Sequence, residues 1–314
     1  MKLFGSKPDP VSSEPTKEQV TVALKTVIEP DLHRGIVTLN MVKNVAVCGG
    51  AARVTIELTT PACPLKKKIE DDTRAAVMEV AGMKEVTVEF TANVAGRMGV
   101  DRPLLAGIKN VIAVTSGKGG VGKSTCAVNL AAALAQTGAK VGLLDCDVYG
   151  PDIPTMLGLK EKPEGTADRK FLPLERYGVK SMSIGYLVEE DAPIVWRGPM
   201  LHKVIEQFLK DVEWGEIDYL LVDMPPGTGD AQLSLSQLVP LTGAVVVTTP
   251  QDVALVDVKK AIAMFGRVRV PILGIVENMA GYSCSHCGHV EQIFGEGGAE
   301  KLAAKFNVPV LGRV

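Results

Sequence analysis

The sequence predicts an α/β protein with a mostly parallel, doubly wound sheet, preceded by a small α+β domain. Three observations carry this reading. From residue 109 onward, short continuous apolar runs alternate with helix-length segments, the pattern of strands buried on both faces. Before residue 92, VTIELT at 54–59 and EVTVEF at 85–90 instead alternate residue by residue, like half-buried strands. Between the two parts, residues 93–108 carry Gly96, Arg97, Gly99, Arg102, Pro103 and Gly107 with little periodicity, which reads as a linker.

Each element follows in order. Residues 1–14 are rich in Pro, Ser and Lys and read as a flexible tail. Residues 15–92 form the small domain, with one helix over 16–27 and another in PLKKKIEDDTRAAVMEVAG between the two strands. Residues 109–314 form the larger domain. NVIAVTS is its first strand, CAVNLAAALAQTG a helix stopped by glycine, and KVGLLDCD the next strand. DYLLVDMPP, GAVVVTTP and ILGIVEN continue the series. The last stretch, VPVLGRV, reads as a strand with nothing behind it, as if the domain were incomplete.

Composition narrows the function. The 314 residues suit about two domains. With 34 basic and 36 acidic residues the net charge is −2, which gives no support to a nucleic-acid surface. No apolar run reaches the roughly 18 residues needed to span a bilayer. The first fifteen residues lack the apolar core of a secretion signal, so a cytoplasmic protein is expected. In a reducing compartment, close cysteine pairs are read as metal-binding or redox rather than as disulfides. Of Cys48, Cys63, Cys126, Cys146, Cys284 and Cys287, only the last two form such a pair.

Gly117-Lys118-Gly119-Gly120-Val121-Gly122-Lys123-Ser124 fits G-x-x-x-x-G-K-[ST] and lies between a strand and a helix. Glycines let backbone N–H groups curl around phosphate oxygens, and the following helix N-terminus adds partial positive charge. Nucleotide contacts are therefore expected from Gly117, Gly119, Gly120, Val121, Gly122, Lys123, Ser124 and the adjoining Thr125. Lys123 can neutralise the β and γ oxygens of ATP, and the Ser124 hydroxyl can ligate Mg²⁺. Asp145 and Asp147 close the second strand of this domain, and Asp223 ends the strand YLLVD. These are the carboxyl ends where α/β sheets bind ligands. Carboxylates there can support Mg²⁺ or orient water, although an Asp at such a place can also be a helix cap.

The form GKGGVGKST, with its second lysine, resembles the deviant Walker A ATPases, the class of MinD, ParA, nitrogenase iron protein and the Mrp/ApbC carriers. The resemblance implies that Lys118 reaches the partner's nucleotide across a homodimer. It also implies that Asp147 orients the attacking water and that VYGPDIP is a switch. Asp223 would then be the Walker B carboxylate for Mg²⁺, MPPGTGD a γ-phosphate sensor, and Asn278 the adenine contact.

Cys284-Ser285-His286-Cys287 lies in GYSCSHCGHV, a loop-like segment. One such pair supplies two ligands, whereas a [4Fe–4S] cluster takes four. A symmetric dimer would supply the rest. VENMAGYSCSHCG resembles the segment of Mrp/ApbC-type carriers, in which paired cysteines bridge a cluster between subunits; that family has Pro where this chain has Ser285. A zinc site with His286 or His289, a redox dithiol, or a pair of idle loop cysteines stays open on spacing alone. Cys126 and Cys146 read as small buried apolar residues, and Cys48, before Gly49-Gly50, shows no partner.

EPDLHRGIVTLNMV at 29–42 and TTPACP at 59–64 resemble the SufT/PaaD-type iron–sulfur assembly domain, which implies a reactive or ligating Cys63. A capped helix start is the other reading of Cys63. Together the resemblances imply an ATP-hydrolysing carrier that takes a [4Fe–4S] cluster from scaffold proteins and passes it to apo-proteins. The alternatives are a MinD/ParA-like positioning ATPase and a zinc-binding regulatory ATPase. An electron-transferring reductase like nitrogenase iron protein is disfavoured, since MPPGTGDAQL has no cysteine.

Overall fold

The computed structural model describes residues 14–61, 63–94, 105, 107–188 and 198–314. Nearly all of the 1–14 tail and most of the 93–108 linker lie outside these. The chain divides into two compact units, Met1–Ala95 and Gly96–Val314.

In the first unit, α1 (Lys17–Leu24) starts at a capping box in which Thr16 and Gln19 satisfy each other's backbone amides. Two short paired strands follow, β1 (Ile28–Glu29) and β2 (Arg34–Gly35). β3 (Val42–Cys48) and β4 (Ala51–Leu58) are joined antiparallel through Gly49 and Gly50, with φ of 56° and 84°. Positive φ at both central residues is what a tight hairpin turn demands. α2 (Lys66–Met78) then crosses over to β5 (Glu85–Ala92), which runs parallel to β4. Ile69, Thr73 and Val77 recur on one face of α2 and are buried. Their apolar members join Val20, Leu24, Val54 and Ile56 in the core of this unit.

The second unit is built on an eight-stranded sheet among the described residues. Its elements are β6 (Ile108–Ser116), α3 (Lys123–Gln136), β7 (Val141–Asp145), α4 (Ile153–Leu157), β8 (Leu174–Arg176), β9 (Val179–Met182), α5 (Gly198–Asp211), β10 (Ile217–Asp223), α6 (Asp230–Leu238), β11 (Gly243–Thr248), α7 (Asp252–Arg267), β12 (Ile272–Glu277), β13 (Tyr282–Ser283), β14 (Val290–Glu291), α8 (Gly298–Phe306) and β15 (Val310–Arg313). The strand order is β15-β12-β11-β6-β10-β7-β9-β8. All neighbours are parallel except β8 and β9.

Every residue of β7 and β11 is buried, as expected for strands covered on both faces. The expected strands appear as β6, β7, β10, β11 and β12. The VPVLGRV segment supplies β15, which pairs with β12 and has α8 beside it. The sequence reading did not include β3, β8, β9, α4 or the small antiparallel pair β13–β14. Register brings the site together: Asp223 stands opposite Val114 of β6 on one side and opposite Asp145 of β7 on the other. The carboxyl ends of these three strands thus lie in one row. Among the described residues, no helix is long and apolar enough to cross a membrane.

Candidate functional site

A cleft of about 270 Å³ opens over that row of strand ends. Its lining includes Lys118, Lys123, Thr125, Asp147, Pro226 and Met279. The loop from Gly117 to Gly122 forms its floor, and α3 begins at Lys123, inside the motif. Gly120 and Gly122 have φ of 79° and 82°, values that glycine adopts freely. Two glycines are also required by close approach. A Cβ at Gly117 would collide with the backbone of α7 at Asp257 and Val258, and one at Gly122 with the Asn278 side-chain amide.

Lys123 is buried at 6% exposure, and its ammonium is surrounded by oxygen. It donates to Asp223 Oδ1 at 2.6 Å and to Ser124 Oγ at 3.1 Å, and stands 3.6 Å from Asp147 Oδ2. The other oxygen of Asp223, Oδ2, is buried without a hydrogen-bond partner. Such an orphan is costly unless a cation or water meets it. Beside the Ser124 hydroxyl, it gives this corner the oxygen donors that Mg²⁺ prefers.

The acidic groups are unequal. Burial raises the Asp223 and Asp147 carboxyls above the ordinary range, and the Lys123 charge opposes this in both. Asp145 is pushed up to about 8, first by burial and then by the Asp223 charge. It accepts from the Ser183 hydroxyl at 2.8 Å and from the Asp147 backbone amide at 3.0 Å. Asp145 therefore braces the turn that carries Asp147. Ser183 was not singled out from the sequence, because its contact comes from a separate strand.

Lys118 is exposed at the cleft, and its carbonyl accepts from the Ser116 hydroxyl at 2.9 Å. Asn278, just beyond β12, donates its side-chain amide to the Val121 carbonyl at 2.9 Å. Its backbone N–H reaches the Thr248 carbonyl at 2.7 Å. The structure thus gathers Lys118, Lys123, Ser124, Asp147 and Asp223 around one cleft and sets Asn278 against its loop. Met279, which the sequence reading passed over, also lines the cleft.

Cys284 and Cys287 sit in the turn between β13 and β14. The turn is closed by Cys284 N–H to the His289 carbonyl at 2.9 Å and Gly288 N–H to the Cys284 carbonyl at 2.8 Å. Cys284 is half-buried and Cys287 exposed. The backbone amides of Cys287 and then His286, with the Cys287 side chain, hold the Cys284 thiol below its ordinary range. The thiolate is the metal-binding form. Among the described residues, no group of three or more His, Cys, Asp and Glu is gathered for a metal ion. Around the turn, Tyr282, Val290 and Ile293 are exposed.

The remaining cysteines differ. Cys146 is buried, and burial followed by the Asp145 charge pushes its thiol well up. Cys126 is half-buried and shifted upward by burial and Asp223. Cys48 is exposed at the end of β3. Cys63 is half-buried against the core of the first unit; the cap of α2 is Leu65, which makes no side-chain cap bond.

Comparison with known proteins gives a consistent picture. Residues 107–314 match the family described as NUBPL iron-transfer P-loop NTPase, and residues 17–90 match the family described as iron–sulfur cluster assembly protein. The chain is 52% identical to an iron–sulfur cluster carrier protein of Deinococcus radiodurans, over 93% of this chain and 82% of that one. Its identity to the protein of the same name in Escherichia coli is 47%, over 96% and 83%. A solved structure of a nucleotide-binding protein from Archaeoglobus fulgidus, in complex with ADP and with cobalt found in it, superposes with a TM-score of 0.61. That protein is 42% identical, and the match covers 68% of this chain and 84% of that one.

Proposed function

The chain belongs to the iron-transfer P-loop NTPase family, and from that premise we propose that it is an ATP-hydrolysing carrier of [4Fe–4S] clusters. In this reading two copies form a homodimer and hold the cluster as cargo between their Cys284 and Cys287 pairs. They receive it from scaffold proteins and deliver it to apo-proteins in the cytoplasm. The names of its relatives support the carrier role.

The loop would cradle ATP on its backbone amides, and Lys123 would neutralise the β and γ oxygens. Mg²⁺ would be held by Ser124 and Asp223, where it would supply charge to the phosphate oxygens; the orphaned Asp223 Oδ2 fits this role. Asp147 orients the attacking water, held in place by the hydrogen bond that its backbone N–H donates to the Asp145 carboxylate. Lys118 from the other copy completes the charge around the transferred group, and Asn278 reads the base.

The observation that carries the proposal is the short distance along the chain between the two chemistries. Asn278 touches the phosphate loop, and six residues later Cys284 opens the turn between β13 and β14, with Cys287 three residues on. The test is ligand counting. Two thiolates per chain give four only at a two-fold axis, so replacing either cysteine removes two ligands at once. Iron and sulfide per dimer should fall to near background in Cys284→Ala and Cys287→Ala after anaerobic reconstitution, with ATP affinity unchanged. Wild-type iron and sulfide in the variants, or uptake of one zinc per monomer without sulfide, would overturn the carrier reading.

A further inference from the structure

The backbone between the nucleotide cleft and the cysteine turn is pinned on both sides of a single residue. Glu277 is fully buried; its carboxylate accepts from the Ala299 amide at 2.8 Å and from Arg313 Nε at 2.9 Å, and its carbonyl accepts from Val314 N–H at 2.9 Å. Asn278 is fixed by its bonds to Thr248 and Val121. Beyond, Ala280 N–H donates to the Val314 carbonyl at 2.8 Å. Gly281 packs so closely that a Cβ there would lie 3.1 Å from Val290 Cγ1 of β14. From Tyr282 the chain is already in β13, paired with β14, and the next residue after that strand is Cys284.

Met279 lies inside this strip and differs from its neighbours. Its φ is 56°, in the left-handed region that a residue with a Cβ adopts only at a steric cost. Its side chain is 41% exposed and lines the cleft together with Lys118, Lys123 and Asp147. A strained residue persists only where its surroundings hold it, and such residues mark places where one arrangement can give way to another. A ligand entering the cleft meets the Met279 side chain directly. Only residues 280–283, hydrogen-bonded at Ala280 and in β13, separate it from Cys284.

We propose that Met279 contacts bound nucleotide and relays its presence to the Cys284–Cys287 turn, so that nucleotide controls how the thiols are presented. The relay rests on the carrier reading for its purpose, and it runs through the β12–β13 connection rather than through the MPPGTGD loop. Its test needs no cluster, so it can fail independently of that reading.

The experiment follows thiol alkylation by iodoacetamide in reduced, cluster-free protein, resolved by peptide mapping. Rates at Cys284 and Cys287 are compared with and without a saturating non-hydrolysable ATP analogue and magnesium. Cys48, exposed in the first unit, is the internal reference. In wild type the analogue should change the rate at Cys284 by about five-fold or more, the lower end of ordinary coupling between sites. Met279→Ala and Met279→Gly both remove the side chain from the cleft and should bring that ratio to near one with the analogue bound. If Met279→Ala binds the analogue too weakly to saturate, Met279→Leu should restore both affinity and response. A wild-type rate indifferent to nucleotide, a full response in saturated Met279→Ala, or a failure of Met279→Leu to restore what alanine lost would each overturn the relay.

Discussion

At the scale of single residues, the site is governed by three carboxylates that share one lysine. Lys123 can face only so much negative charge, and it lies nearest Asp223 and then Asp147. Asp145, 1% exposed, is left with a hydroxyl and an amide as partners. Burial and the Asp223 charge therefore push it from 3.8 up to about 8. The sign of the consequence is fixed. Above about pH 4 the unfolded chain has released this proton while the fold still holds it, so the stabilisation is full below 3.8 and is lost as pH rises through about 8. Asp145→Asn mimics the protonated form at every pH. In nucleotide-free protein, the melting temperature of the variant minus that of wild type should rise between about pH 5 and pH 8 and level off above that. A flat difference across that range would mean that Asp145 is ionised throughout and that the turn carrying Asp147 is braced by a charge.

At the scale of elements, the edge of the sheet is held by an ion pair that packing had to create. Glu277 ends β12 with no exposure, and Arg313 of β15 and the first turn of α8 meet its carboxylate. Arg313→Met keeps the stem but leaves the carboxylate short of a donor, a loss of about 1–3 kcal/mol, moderated by the 35% exposure of the Arg313 side chain. Trp214 is buried in the core of the second unit, so denaturant unfolding followed by tryptophan fluorescence reports on that core. A change within about 0.5 kcal/mol, ordinary for a surface site, would show that the pair contributes little. The same elements show what the sequence could reveal. β7 and β11 were legible because strands buried on both faces must be apolar throughout. That Lys123, Ser124 and Asp223 would lie close together was legible, because the G-x-x-x-x-G-K-[ST] pattern and an Asp ending an apolar strand both stand at the carboxyl ends of neighbouring strands. The three-residue β8 and two-residue β13 are too short for a period to show. Gly49-Gly50 did carry a signal for the β3–β4 hairpin, since two adjacent glycines suit a turn with positive φ at both. Glu277, Ser183 and Met279 were silent, because their importance comes from neighbours distant in sequence or from a backbone angle.

At the scale of the whole molecule, Lys118 poses the remaining question. It is exposed, its own loop already contains Lys123, and its carbonyl is tied to Ser116 while its side chain lines the cleft. If a second copy docks over the cleft, the lysine of each can serve the nucleotide of the other, as a cationic finger supplied in trans does. Such a finger is worth about 10³–10⁵ in turnover. Lys118→Ala alone should lose most hydrolysis while keeping nucleotide affinity, and Lys123→Ala alone should lose hydrolysis because the β/γ charge has no side-chain partner. Mixing the two variants decides where Lys118 acts. In a mixed dimer, the site on the Lys118→Ala chain has its own Lys123 and receives an intact Lys118 from the Lys123→Ala chain. The other site lacks both. Random mixing in equal amounts makes half the dimers mixed, each with one competent site, so activity should recover to about a quarter of wild type. A lysine acting within its own chain gives no such recovery, because neither chain then holds both lysines. Activity that stays at the level of the separate variants, with mixed dimers demonstrated by mass, would place Lys118 in cis and remove the dimer from the chemistry of hydrolysis.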